Sequence, residues 1–178
     1  LKGDPATPSN VVINAVSTSI AGDSIVATYT LDGLKILSGS VGVSLRGGGV
    51  VIFGKNLDFG ANAVCAIAAA DGASFRFNGN YTISGGGARF LLISTGATVY
   101  TNGITVTLSG TPAFSTAYVE VSTRGYVNTV GVTYSGSATG PRYSVRDGGH
   151  IRTNGAGVNF LPGDSAGTVD AATFGLYT

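Results

Sequence analysis

The sequence predicts an all-β chain wound as a right-handed parallel β-helix, a β-solenoid with about three short strands per rung of ~24 residues. Three observations carry that reading. The first is composition: 29 of 178 residues are glycine and only 11% are charged. Residues that favour long helices are scarce, whereas β-branched and turn-forming residues abound. The second is a returning phrase. "DGASFRFNG", "TGATVYTNG" and "DGGHIRTNG" share one pattern, "TRGYVNTVG" is a looser copy and "RGGGVVIFG" a degenerate one. The third is phase. Aligned on their last glycine, the phrases end at Gly54, Gly79, Gly103, Gly131 and Gly155, at spacings of 25, 24, 28 and 24 residues. An isolated Asn-Gly is a hairpin signal. Hairpins have no reason to recur in phase, so these dipeptides read as one corner passed once per coil, with Asn-Gly supplying positive φ.

Taken in order, residues 1–10 are polar and proline-bearing. Gly3-Asp4-Pro5 followed by Ala6-Thr7-Pro8 reads as a linker or the end of a Gly-X-Y-like tract. The opening "LKGDPATP" has neither Met nor a signal-peptide pattern, and the chain reads as a fragment or processed product. Residues 11–160 form the β-helix, with the clearest rungs over 41–160. Within 11–40, "NVVINAV", "SIVATYTL" and "LKIL" fit one or two opening rungs. Later, "VGVSL", "AVCAIA", "RFLLI", "YVEV" and "RYSV" precede the corner phrases, and "LDF", "YTI", "ITVTL", "VTY" and "VNF" follow them. Residues 161–178, with Pro162 and many small residues, read as a C-terminal cap that closes a sheet edge.

Side chains alternate across a strand, which sorts inward from outward positions. In the corner phrases the inward pairs are Phe75/Phe77, Val99/Thr101, Val127/Thr129 and Ile151/Thr153. Their outward faces place Arg76, Tyr100, Tyr126, Asn128, His150 and Arg152 on successive rungs. In the strands before the phrases the inward pairs are Leu91/Ile93, Val119/Val121 and Tyr143/Val145. The outward set there is Phe90/Leu92, Tyr118/Glu120 and Arg142/Ser144. Phe90, Leu92 and Tyr118 are large for an exposed face and are expected to form the buried interface of a homotrimer.

Several chemistries are excluded. A net charge of +1 leaves no footprint for nucleic acid. No apolar run is long enough for a membrane span. One His and one Cys give no metal-ligand spacing, and Cys65 reads as a small apolar core residue. "GGGV" and "GGGAR" lack the helix and lysine of a phosphate loop, so no cofactor is expected and they read as turns. "GDS" and "STG" are not nucleophile elbows. The outward or corner acids are Asp58, Asp71, Glu120 and Asp147. Polysaccharide hydrolysis needs two carboxyls ~5–9.5 Å apart. Asp71 and Asp147 share a column but lie three rungs, about 14 Å, apart, and read as turn formers. No catalytic residue is assigned. Stacked Thr101, Thr129 and Thr153 point inward, against an ice-binding face. The outward ladder of Arg76, Tyr100, Tyr126, Asn128, His150 and Arg152 suits a glycan, because Arg forks fit acidic groups and Tyr offers a flat amphipathic face.

Stacked "GA-x-V-x-TNG" phrases, closed by "NFLPGDSAGT...FGLYT", resemble the β-helical parts of bacteriophage tail-fibre and tailspike proteins over roughly residues 41–178. The resemblance implies a homotrimeric structural appendage on the virion surface, in contact with other virion proteins and binding a host receptor or surface glycan. It carries over no catalytic residue. A polysaccharide-cleaving spike, a capsid-attached fibre or decoration protein, and a bacterial surface adhesin are the alternatives.

Overall fold

A computed structural model describes all 178 residues. The first turn of the coil holds β1 (Val12–Ala15), β2 (Ile20–Asp23) and β3 (Ala27–Asp32). The second holds β4 (Lys35–Ser38), β5 (Val41–Arg46) and β6 (Val50–Lys55). The third holds β7 (Leu57–Asn62), β8 (Cys65–Ala70) and β9 (Ser74–Phe77). The fourth holds β10 (Tyr81–Ile83), β11 (Gly87–Ile93) and β12 (Thr98–Tyr100). The fifth holds β13 (Thr105–Leu108), β14 (Phe114–Val121) and β15 (Tyr126–Asn128). The sixth holds β16 (Thr133–Ser135), β17 (Tyr143–Val145) and β18 (His150–Arg152). The last turn adds only β19 (Thr168–Val169) and β20 (Leu176–Tyr177). Every third strand pairs in parallel with the next, giving three sheets: β1-β4-β7-β10-β13-β16, β2-β5-β8-β11-β14-β17-β19 and β3-β6-β9-β12-β15-β18-β20. The chain is thus a β-solenoid of about seven turns.

On the third sheet Val51, Ser74, Thr98, Tyr126 and His150 stack in register, at steps of 23, 24, 28 and 24 residues. The degenerate phrase is the one misaligned by its glycine: Gly54 pairs with Phe77, two residues before Gly79. Gly103, Gly131 and Gly155 do take positive φ at the corner after this sheet, whereas Gly54 and Gly79 do not. The corner between the second and third sheets is more regular. Asp71-Gly72, Thr95-Gly96, Thr123-Arg124 and Asp147-Gly148 each place two consecutive residues at positive φ. These corners bond to one another: Gly72 N–H donates to Thr95 O (3.0 Å), Gly96 N–H to Thr123 O (3.0 Å) and Arg124 N–H to Asp147 O (3.0 Å). Asp71 and Asp147 are therefore turn residues.

The inward positions predicted from alternation are buried. The threonine column has a specific use. Thr101 Oγ1 donates to Asn128 O (3.3 Å), Thr129 Oγ1 to Arg152 O (3.2 Å) and Thr153 Oγ1 to Thr178 O (2.8 Å). Each buried hydroxyl satisfies a carbonyl of the following turn, which an aliphatic residue cannot do.

Phe90 and Tyr118 correct the expected outward face. Both are buried, at 0% and 1% exposure, and their rings stack 5.2 Å apart at 11°. The strict alternation fails because β11 and β14 begin at the corner from the first sheet, where register slips between Gly87 and Arg89. At that bend Phe90 and Leu91 both turn inward, as do Tyr118 and Val119. The rings join a larger interior cluster. Phe59 meets Phe77, Tyr81 and Phe90 edge-on at 6.1, 6.0 and 5.4 Å, and Tyr81 stacks on Phe77 at 4.0 Å. Tyr134 meets Tyr118 edge-on at 6.1 Å, and burial pushes the phenols of Tyr81, Tyr118 and Tyr134 above their ordinary range. Of the expected trimer seam only Leu92 stays on the outer surface, half-buried.

The ends differ from the middle. Residues 1–10 lie against the coil. Lys2 bridges Asp32 in parallel, Gly3 N–H donates to Asp32 O (2.7 Å), and the short 3-10 helix Pro8–Asn10 packs on β4 and β7. At the other end β19 and β20 extend the second and third sheets, while buried Leu161 covers the interior where the first sheet stops.

Candidate binding face

The outward face of the third sheet brings all six ladder residues together. Register places Thr30, Phe53, Arg76, Tyr100, Asn128 and Arg152 in one column. Thr28, Val51, Ser74, Thr98, Tyr126 and His150 form the neighbouring column. The ladder is thus two columns, with Tyr126 and His150 diagonal to the rest. From Arg76 to Arg152 it spans three rung steps, about 14 Å.

Its side chains are ordered by one another. The Arg76 guanidinium carbon lies 4.5 Å from the Tyr100 ring centroid. Tyr100 meets Tyr126 edge-to-face at 6.0 Å, and Tyr126 meets His150 at 5.3 Å. His150 Nε2 is 2.9 Å from Thr178 Oγ1. Partial burial, and then the neighbouring Arg152 charge, lower the His150 pKa below its ordinary 6.5, so the ring is neutral at pH 7. Asn128 Oδ1 accepts from Val130 N–H (3.1 Å), which fixes the amide and leaves its NH₂ outward. Arg76 and Arg152 have no carboxylate partner. The acid at the corner of this face, Asp32, is already occupied: Asn56 donates to it at 2.9 Å and Lys55 Nζ sits at 3.4 Å. The Asn56 bond, with the Lys55 charge, holds its carboxyl below the usual range. The face therefore offers unpaired positive charge beside a run of half-buried aromatic rings.

Sequence reasoning missed the one depression on this face. Thr30, Phe53, Lys55 and Asn78 line a hollow of about 350 Å³ directly below Arg76. Its signal was present in the sequence, but aligning Gly54 with Gly79 set Phe53 against Asn78 instead of Arg76.

Three other acids are engaged elsewhere. Glu120 lies on the second sheet yet is only 4% exposed, covered by Arg89 Nε and by Arg146 Nη1 at 2.9 Å. Arg146 also reaches Asp147 at 3.3 Å. Asp58 pairs with Lys35 at 2.9 Å on the first sheet. Glu120, Asp147 and Asp58 are thus each paired with a cation, as in an ionic clamp between turns, whereas Asp71 has no cationic partner. Cys65 is buried, and desolvation pushes its thiol up to about 12, so it stays protonated and inert.

Comparison with family models, with curated proteins and with solved structures found no match to this chain. The reading of the face rests on its own geometry, which provides stacking surfaces and guanidinium donors.

Proposed function

We propose that this chain is a structural, surface-binding module of a virion appendage, of the tail-fibre or tailspike kind, and that the outer face of its third sheet holds an acidic glycan of the host surface. The observation that carries the reading is the unbroken strip of Arg76 on Tyr100, Tyr100 on Tyr126 and Tyr126 on His150. An aromatic ring presents a flat apolar face to a sugar, while a guanidinium stacked by its own face keeps its N–H edge free for carboxylate oxygens. Rings held by neighbours lose little further entropy on binding, which favours a rigid strip over scattered side chains. A right-handed coil is the sense that parallel crossovers favour. Self-association into a homotrimer and attachment to other virion proteins belong to the same proposal. With Phe90 and Tyr118 inside the coil, a trimer would use other surfaces.

The test is the joint variant Arg76→Ala, Tyr100→Ala and Arg152→Ala. Binding to host cells is expected to weaken roughly a thousandfold, the scale of two central hot-spot residues, with the melting temperature little changed because all three lie on the outer surface. Unchanged cell binding by the folded variant overturns the reading.

A pH dependence accompanies it. His150 is neutral at pH 7 and gains a proton below its ordinary value of 6.5. Protonation adds a cation beside Arg152, so affinity for an acidic glycan is expected to rise from about pH 7.5 to about pH 5. In His150→Gln that rise should flatten, as read by titration calorimetry across the same range.

A further inference from the structure

The hollow at the foot of the ladder has the composition of a sugar subsite. Phe53 supplies a ring that is half-buried and still open on its outer face. Thr30 and Asn78, both exposed, place a hydroxyl and an amide on either side of it. Lys55 is not a free tether: Asp32 holds its ammonium at 3.4 Å, and Asn56 in turn holds Asp32 at 2.9 Å. The lysine is thus set in place, with donors left over after one goes to Asp32. Arg76, the next residue up the column from Phe53, has its guanidinium carbon 4.5 Å from the Tyr100 ring centroid and no carboxylate partner, so its N–H groups are left to a ligand. The volume of about 350 Å³ lies at the lower end of the range for small-molecule sites.

We infer that this hollow is a subsite for a carboxylated pyranose, a hexuronate-type sugar, at one end of the ladder. The apolar face of the sugar ring lies on Phe53. Its hydroxyls meet Thr30 and Asn78, and its carboxylate meets the free edge of Arg76 and the ammonium of Lys55. A neutral hexose keeps the stacking and loses both charge-assisted bonds, which sets the specificity. This assignment rests on the glycan-binding reading of the ladder and narrows it to one residue class at one place.

The probe is a hexuronate tetrasaccharide, compared with the same tetrasaccharide after its carboxyls are reduced to alcohols. Wild type is expected to bind the acidic form at least about tenfold more tightly than the reduced form, by calorimetry at low salt. Phe53→Ser and Lys55→Gln are each expected to weaken the acidic form about tenfold, and Lys55→Gln to leave the reduced form unchanged. Asn78→Ala, at an exposed corner, serves as the second variant if Phe53→Ser lowers the melting temperature. Two outcomes overturn the subsite: no binding of the acidic form by wild type, or wild-type affinity in Phe53→Ser, Lys55→Gln and Asn78→Ala together. Either can coincide with loss of cell binding in the Arg76, Tyr100 and Arg152 variant, in which case the ladder stands and only the subsite falls.

Discussion

Gly87→Val is expected to lower the melting temperature by roughly 10 °C or more, the equivalent of about 3 kcal/mol or more for a chain of this size. Residues 85–87 form the corner from the first to the second sheet in the fourth turn, where backbone lies directly on backbone. A Cβ at Gly87 would overlap the carbonyl oxygen of Asn62 in the turn below. At Gly86 it would overlap Ala113 O in the turn above, and at Gly85 the amide of Ala61. Gly87 N–H itself donates to Ala113 O at 3.0 Å, and Asn62 N–H to Gly86 O at 3.0 Å. The corner is thus clamped from both sides, and relief requires the turns to separate and lose these bonds. Gly96→Ala separates this effect from backbone strain. Gly96 has φ of +70° but open space around its missing Cβ, so the substitution should cost only about 1–2 kcal/mol. Thermal melts of the two variants should differ accordingly; equal shifts would mean that close approach at Gly87 is not what requires glycine there.

That contrast shows what the sequence could and could not convey. A run such as "GGGAR" reads as a turn, because glycine marks a change of direction. Nothing local to it says that two other corners press on the same atoms, since Asn62 and Ala113 are each about 25 residues away. The third sheet was legible for the opposite reason. Phe75, Val99, Val127 and Ile151 recur with constant neighbours, and a parallel stack needs similar residues in register. The alternation then assigned Arg76, Tyr100 and Arg152 to the outside. It held because β9, β12, β15 and β18 pair without a register slip and follow a repeated turn.

The second sheet breaks the same rule at a bend. Period-two reasoning assumes that consecutive residues face opposite sides, which holds only while the strand stays in one plane. Where β11 leaves the corner, Arg89 pairs with Cys65 and Leu91 with Ile67, and the ring of Phe90 between them points into the coil. The extra residues of the fifth turn were visible as the 28-residue spacing. They fall between Leu108 and Ala117, some before β14 and one within its start, where it sets the slip in register against β11. The outward face of the third sheet escaped this irregularity because the insertion lies at the corner between the first and second sheets.

Phe90→Ala separates the two readings of that ring. As an interior residue at 0% exposure, Phe90 stacks on Tyr118 at 5.2 Å and on Tyr81 at 5.7 Å, and takes the edge of Phe59 at 5.4 Å. Its removal opens a cavity among rings that cannot collapse into it, because each belongs to a strand fixed by its sheet. The expected cost is about 3–5 kcal/mol, or roughly 6–20 °C in melting temperature, with the native mass unchanged. Tyr118 and Tyr134 should become more accessible as the ring cluster loosens, which ultraviolet absorbance under mild denaturant can follow. Leu92→Ala, on the outer surface beside Ala68 and Glu120 in the register, should cost about 1 kcal/mol. A Phe90→Ala chain that melts as wild type but changes its native mass would return that ring to an interface between copies. The size of the two effects follows from one geometric fact, that the strand turns a corner at Phe90 and has straightened by Leu92.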